Sequence, residues 1–150
     1  MTHYFDTSAL VAYYCPEPIS DAVEKILLQS NQPAISLLTE VELTSAVARK
    51  VREDNLSHQD GNRILNQFQS HLEHRMFRWI PIEEHHFRQA RNWISQFTTP
   101  LRTLDALHLA LAAGEGTHLV TADLQLARAA AFYGVEVIPL GEPLNTSPLK

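Results

Sequence analysis

Short apolar runs alternate with helix-patterned stretches along the whole chain, and no other feature restricts the possible folds as much. The apolar runs are Tyr4-Phe5 leading to Asp6, Pro33-Ala34-Ile35-Ser36, Phe77-Arg78-Trp79-Ile80-Pro81-Ile82, His118-Leu119-Val120-Thr121 and Val135-Glu136-Val137-Ile138. Apolar residues at helical spacing predict helices over Ala9–Tyr14, Ile19–Ser30, Leu38–Asp54, Ser57–Arg75, Glu83–Phe97, Thr103–Ala113 and Ala122–Tyr133, the last ended by Gly134. Gly61 falls in the first turns of the fourth helix and weakens it. In the fifth, Phe87, Ala90, Trp93 and Ile94 are expected to face inward, and Trp79 and Trp93 are read as core residues. Strands separated by helices imply a parallel sheet covered by helices on both faces. The expectation is a three-layer α/β/α domain around a mostly parallel sheet of 4–5 strands, spanning residues 1–140, with a C-terminal tail at 141–150.

Asp6 follows the first of these strands directly. Ligands of open α/β sheets bind beyond the carboxyl ends of the strands, so an acid there is a site candidate. It is equally placed to cap the following helix. Two later stretches echo each other, Thr103-Leu104-Asp105 and Thr121-Ala122-Asp123. Each sets a Thr suited to capping before an Asp in a first helical turn, where the helix dipole alone favours a carboxylate. Asp123 follows a strand and should reach the same sheet edge as Asp6, whereas Asp105 follows a loop. A fourth acid comes from Thr39-Glu40-Val41-Glu42-Leu43. Thr39 with Glu42 fits a capping box. At about 100° per residue, Leu38, Glu42, Ser45, Ala46 and Arg49 share one stripe, while Glu40 points nearly the opposite way. Periodicity does not choose between the two glutamates.

Charge and cysteine content narrow the chemistry. The 150 residues carry a formal charge of −5, which argues against nucleic-acid binding through net positive charge alone. It leaves room for acids gathered around a cation. Clustered carboxylates raise one another's pKa unless a cation sits among them, and Mg²⁺ or Mn²⁺ prefers such oxygen ligands. Zinc fits poorly, since Cys15 is the single cysteine and the histidines lack a zinc-ligand spacing. A lone cysteine, no long apolar run and no basic-then-apolar N-terminus together suggest a cytoplasmic protein with no membrane contact.

Taken together, Tyr4-Phe5-Asp6-Thr7-Ser8-Ala9-Leu10, Ile35-Ser36 through Glu42-Leu43, Arg102-Thr103-Leu104-Asp105-Ala106-Leu107-His108-Leu109-Ala110, and Leu119-Val120-Thr121-Ala122-Asp123 resemble PIN-domain ribonucleases. They are most similar to the VapC-like toxins of type II toxin–antitoxin systems, over roughly residues 1–140. The resemblance implies an acidic metal site of Asp6, Glu42, Asp105 and Asp123, and so selects Glu42 over Glu40. Ser8 and Thr121, and with them Thr7, match the hydroxyls that line such sites. It further implies endoribonuclease activity dependent on Mg²⁺ or Mn²⁺, an RNA substrate, a cognate antitoxin and a homodimer. Cleavage would proceed by in-line attack of a metal-activated water on an RNA phosphodiester, with Glu42 bound to the metal directly or through water.

Arg49, with Lys50 and Arg52, is placed to attract RNA phosphate, or to sit solvated at a helix end. His108, one turn after Asp105, is either a packed histidine or a substrate contact. The pairs His85-His86 and His71/His74 read as solvated surface residues rather than ligands. Three other readings compete. A catalytically silent RNA- or protein-binding module would share the residues without cutting. A metal-dependent phosphohydrolase of the haloacid-dehalogenase type would want a second Asp where Ser8 stands. A receiver domain would want a lysine near the last strand, and Lys150 lies in the tail.

Overall fold

Tyr4 and Phe5 lie side by side in the first strand, point to opposite faces, and are both 0% exposed. A strand buried on both faces needs a layer of helices on each, and the chain supplies them. The computed structural model describes residues 2–141. In order, these form β1 (His3–Phe5), α1 (Thr7–Tyr14), α2 (Ser20–Gln29), β2 (Ala34–Ile35), α3 (Leu37–Arg52), α4 (His58–Glu73), β3 (Arg78–Trp79), α5 (Glu84–Ile94), α6 (Thr103–Gly114), β4 (His118–Thr121), α7 (Leu124–Phe132) and β5 (Val137–Pro139). All strand pairings are parallel, in the order β3-β2-β1-β4-β5. The expected three-layer α/β fold is therefore the observed one, with every strand parallel. From residue 142 on, the expected tail lies outside the described residues.

Two cores sandwich the sheet. Phe5, Ile35 and Val120 pack with Leu10, Val23, Leu43, Val47, Ile64 and Phe68 from α1–α4. Tyr4, Ala34 and Leu119 pack on the other side with Ala90, Trp93, Leu107, Leu111, Leu126 and Ala130 from α5–α7. Burying side chains of this size stabilises by about 1.5–3 kcal/mol each, before conformational entropy is set against it. The chain leaves β1 toward β2 on one side and reaches β4 on the other, so the topology switches direction between β1 and β4. Open α/β sheets form their binding crevice at such a point.

Several expectations shift in detail. The last strand is Val137–Pro139 rather than Val135–Ile138, because Val135 N–H bonds Ala130 O to close α7. Pro139 lacks an N–H and is tolerated because β5 is an edge strand. At the other edge β3 is only two residues long, and Trp79 is 39% exposed where the sheet's cover ends, not part of the core. Phe87 is 54% exposed as well. The buried stripe of α5 is His86, Ala90 and Trp93. His86 takes its place there by accepting the Glu83 N–H at 2.9 Å, and Phe87 lies one position further round. His86 is thus a buried capping residue rather than a solvated one. Trp93 is buried and stacks on Tyr133 with ring centroids 5.2 Å apart.

Gly61 has a packing reason. A Cβ there would stand 2.8 Å from Val51 Cγ2, so the missing side chain lets α4 close on α3. Gly61→Ala should therefore lower Tm, although Ala is the better helix former by about 1 kcal/mol. Overpacking of this kind costs about 1–3 kcal/mol. Thermal denaturation followed by circular dichroism measures the difference, and a raised Tm would contradict the tight α3–α4 contact.

Candidate active site

Asp6 is the first residue beyond β1 and is held there by its N–H on Val120 O at 3.2 Å. Its extended backbone makes it the N-cap of α1, and Oδ1 accepts the Ala9 N–H at 3.0 Å. The Ser8 hydroxyl donates to the same oxygen at 2.7 Å, and the Thr121 hydroxyl donates to Oδ2 at 2.6 Å. Asp6 is thus both the cap and a candidate ligand that sequence had set as alternatives. Burial pushes its carboxyl above the ordinary range, against the opposing pull of His108 and the donors Thr121, Ser8 and Ala9. A carboxylate with three donors and little solvent is fixed in place but poorly neutralised.

The hydroxyls tie the ends of β1 and β4 together. Thr121 Oγ1 accepts the Asp123 N–H at 3.0 Å while donating to Asp6, and Ser8 Oγ accepts the Ala122 N–H at 3.0 Å. Asp123 is itself the N-cap of α7, accepting from Gln125 N and Leu126 N at 2.9 and 3.2 Å. The expected Thr cap is absent there because Thr121 is still in the strand. At α6 the cap is Arg102, which makes no side-chain capping bond, and Thr103 is already helical. Asp105 therefore stands in the first turn of α6, where the helix dipole meets the cleft.

Glu42 reaches the cleft because α3 starts earlier than expected. Ser36 is the N-cap and Thr39 completes the capping box, so Glu42 has no capping duty. Its stripe does face the cleft, along with Ser45, Ala46 and Arg49. Glu42 Oε1 accepts from Thr7 Oγ1 at 3.0 Å and pairs with His108 Nε2 at 2.5 Å. On its other side His108 Nδ1 lies 2.7 Å from Tyr4 Oη, which lies 2.9 Å from Ser36 Oγ. Sequence reasoning saw Tyr4 only as a buried strand residue. The available signal was its hydroxyl, because a buried tyrosine needs a hydrogen-bond partner.

The four acids line one open cleft of about 650 Å³, at the switch between β1 and β4. An adjoining hollow of about 490 Å³ is lined by Arg102, Gln125, Glu42, Asp105 and Asp123. Arg49 borders the cleft, is largely exposed, and pairs with Glu53 at 3.0 Å, while Lys50 faces Glu17 at 3.8 Å. His108 is only 2% exposed, on the floor. The pair His71 and His74 does other work: His71 Nδ1 meets Tyr14 Oη at 2.6 Å and His74 bonds its own helix.

Among the described residues, no three His, Cys, Asp or Glu side chains are drawn together closely enough to enclose a metal ion. The donor set nevertheless fits a hard divalent cation. The candidate ligands are all carboxylate oxygens, and both nitrogens of the one nearby imidazole are engaged. Electrostatics point the same way. Burial pushes the Asp105 carboxyl up, and Asp123, Asp6 and Glu42 push it further, against His108. Such mutual repulsion is what a cation relieves.

A family model of the PIN domain matches residues 3–132. The chain belongs to the PIN-domain family. Solved structures of similar fold include VapBC2 from Rickettsia felis bound to a promoter DNA fragment, 18% identical with a TM-score of 0.69, covering 94% of this chain and 100% of that one. A toxin–antitoxin complex from Klebsiella pneumoniae is 20% identical with a TM-score of 0.63, covering 91% and 95%. VapC20 of Mycobacterium tuberculosis, a sarcin–ricin-loop-cleaving toxin, is 14% identical with a TM-score of 0.66, covering 85% and 94%. At these identities the likeness is one of fold. No curated protein matches the chain by sequence. The PIN fold is the one the sequence motifs implied, and its sheet brings Asp6, Glu42, Asp105 and Asp123 to one cleft.

Proposed function

We propose that this PIN domain is an endoribonuclease dependent on Mg²⁺ or Mn²⁺, and the toxin of a toxin–antitoxin pair. The observation that carries the reading is the convergence of four carboxylates, from four separate elements, on one cleft at the carboxyl edge of the sheet. When bound, the ion would supply an activated water and offset negative charge on the phosphodiester. Asp6, Asp105 and Asp123 are assigned as principal ligands, and Glu42 as a ligand directly or through water. Ser8 and Thr121 hold Asp6, and Thr7 holds Glu42. Arg49, a largely exposed cation bordering the cleft, is assigned to the RNA phosphate backbone. His108, 2% exposed on the cleft floor, is assigned a place behind Glu42 rather than a contact to RNA.

The toxin–antitoxin neighbours support a cognate antitoxin as partner, with a homodimer and a cytoplasmic setting as further parts of the same proposal. Among the described residues, no helix is long and apolar enough to cross a membrane.

Purified protein incubated with total RNA, in Mg²⁺, Mn²⁺ or EDTA, tests the activity, and sequencing of the new RNA ends identifies the cut. Cleavage that needs the ion and stops with the chelator is the expected result. RNA that is bound yet intact at every ion concentration would favour the silent binding module instead.

A further inference from the structure

Four side chains form a continuous buried chain of hydrogen bonds that ends on Glu42, and their donors can be ordered. Ser36 is the N-cap residue of α3, and its hydroxyl lies 2.9 Å from Tyr4 Oη, to which it can give its proton. Tyr4 is 0% exposed, and its own proton points to His108 Nδ1 at 2.7 Å. That leaves the hydrogen of His108 on Nε2, where it meets Glu42 Oε1 at 2.5 Å, and a carboxylate oxygen can only accept. Thr7 donates to the same oxygen at 3.0 Å. Among the described residues no group donates to Oε2.

We propose that Tyr4 and His108 are positioning residues, which hold Glu42 by Oε1 so that Oε2 alone is presented to the divalent ion. The inference rests on the metal-dependent reading of the cleft and deepens it. Three features argue for orientation over mere packing. Both imidazole nitrogens are used, so the ring cannot flip without losing a bond. The chain starts at the cap of the helix that carries Glu42, so it fixes the side chain relative to its own backbone. It also bridges β1, α3 and α6, linking the rotamer of Glu42 to the strand that leads into Asp6. Partners of this kind behind metal-binding side chains govern ion affinity by fixing geometry.

Binding of Mn²⁺ to the purified full chain, followed by the electron paramagnetic resonance signal of the free ion, reads the effect without catalysis. His108→Leu should weaken binding roughly 10- to 100-fold. Tyr4→Phe removes a single oxygen, keeps the core filled, and should weaken binding about 3- to 10-fold. His108→Gln can still donate to Oε1 from its amide, and should restore much of what His108→Leu loses, an outcome that a packing role would not give. In cleavage assays kcat at fixed ion should fall while KM for RNA stays near wild type, because neither residue reaches the substrate. Asp6→Asn and Asp123→Asn serve as controls. If they too bind Mn²⁺ normally, the metal site itself is misassigned. If they lose Mn²⁺ while Tyr4→Phe and His108→Leu keep wild-type affinity, the positioning role is overturned and the site stands.

Discussion

Replacing Asp6 by Asn is expected to reduce ion-dependent RNA cleavage to background, a loss of at least roughly 10²–10³-fold, with the fold intact. The residue has two jobs, and Asn can do only one of them. As the cap of α1 it offers Oδ1 to the Ala9 N–H. Asn caps about as well as Asp, so the helix start should survive. The Thr121 hydroxyl now donates to Oδ2 and would face an amide that also donates, costing one bond of about 0.5–1.5 kcal/mol. Against that, a neutral amide replaces a carboxylate that is 4% exposed. Tm should therefore stay near wild type while the negative charge at the end of β1 disappears. Labelled RNA under single-turnover conditions, with circular dichroism on the same samples, separates the two effects. Full activity in Asp6→Asn would sink the metal-site assignment, and a collapsed Tm would mean that capping was its main role.

The alternation of strands and helices was legible because both faces of the sheet are covered, which makes Tyr4-Phe5 and Leu119-Val120 uniformly apolar. Details at the sheet edges were not. Trp79 and Pro139 lie on edge strands, where exposure depends on how far the neighbouring helices reach. Phe87 and His86 compete for one buried stripe, and a capping bond at Glu83 N settles it in favour of the polar residue. Local pattern also could not decide Glu42 against Glu40. The choice depends on Ser36 taking the cap of α3, which leaves Glu42 to the cleft. Asp6 and Asp123 were readable as strand-end acids, but Asp105 follows a loop. Its place beside them comes from the packing of α6 on β1 and β4, a tertiary fact with no local signature. The buried hydroxyl of Tyr4 was visible in the sequence, and its partner 104 positions away was not.

Asp105→Asn should make the ion-free protein more stable at neutral pH and less responsive to Mg²⁺, even as it destroys cleavage. Burial and the charges of Asp123, Asp6 and Glu42 raise the folded pKa of Asp105. A carboxyl raised in this way holds its proton more readily in the folded state than in the unfolded chain. It therefore favours folding below its unfolded pKa of about 3.9, and that contribution disappears as pH rises through the folded value. Asn carries no such charge. In EDTA, the stability difference between the variant and wild type should be small near pH 4 and grow toward pH 8. Each 1 kcal/mol of such a difference corresponds to roughly 2–4 °C of Tm in a domain of this size. Mg²⁺ should stabilise the wild type by mass action, by about 2.7 kcal/mol when present at 100 times its Kd, and stabilise the variant much less. Urea denaturation across pH, with and without Mg²⁺, measures both effects. Parallel pH profiles together with equal Mg²⁺ responses would mean that Asp105 neither feels the other acids nor shares an ion with them. The expected pattern makes the site a source of instability that a bound cation would remove, because carboxylates able to attract such an ion repel one another without it.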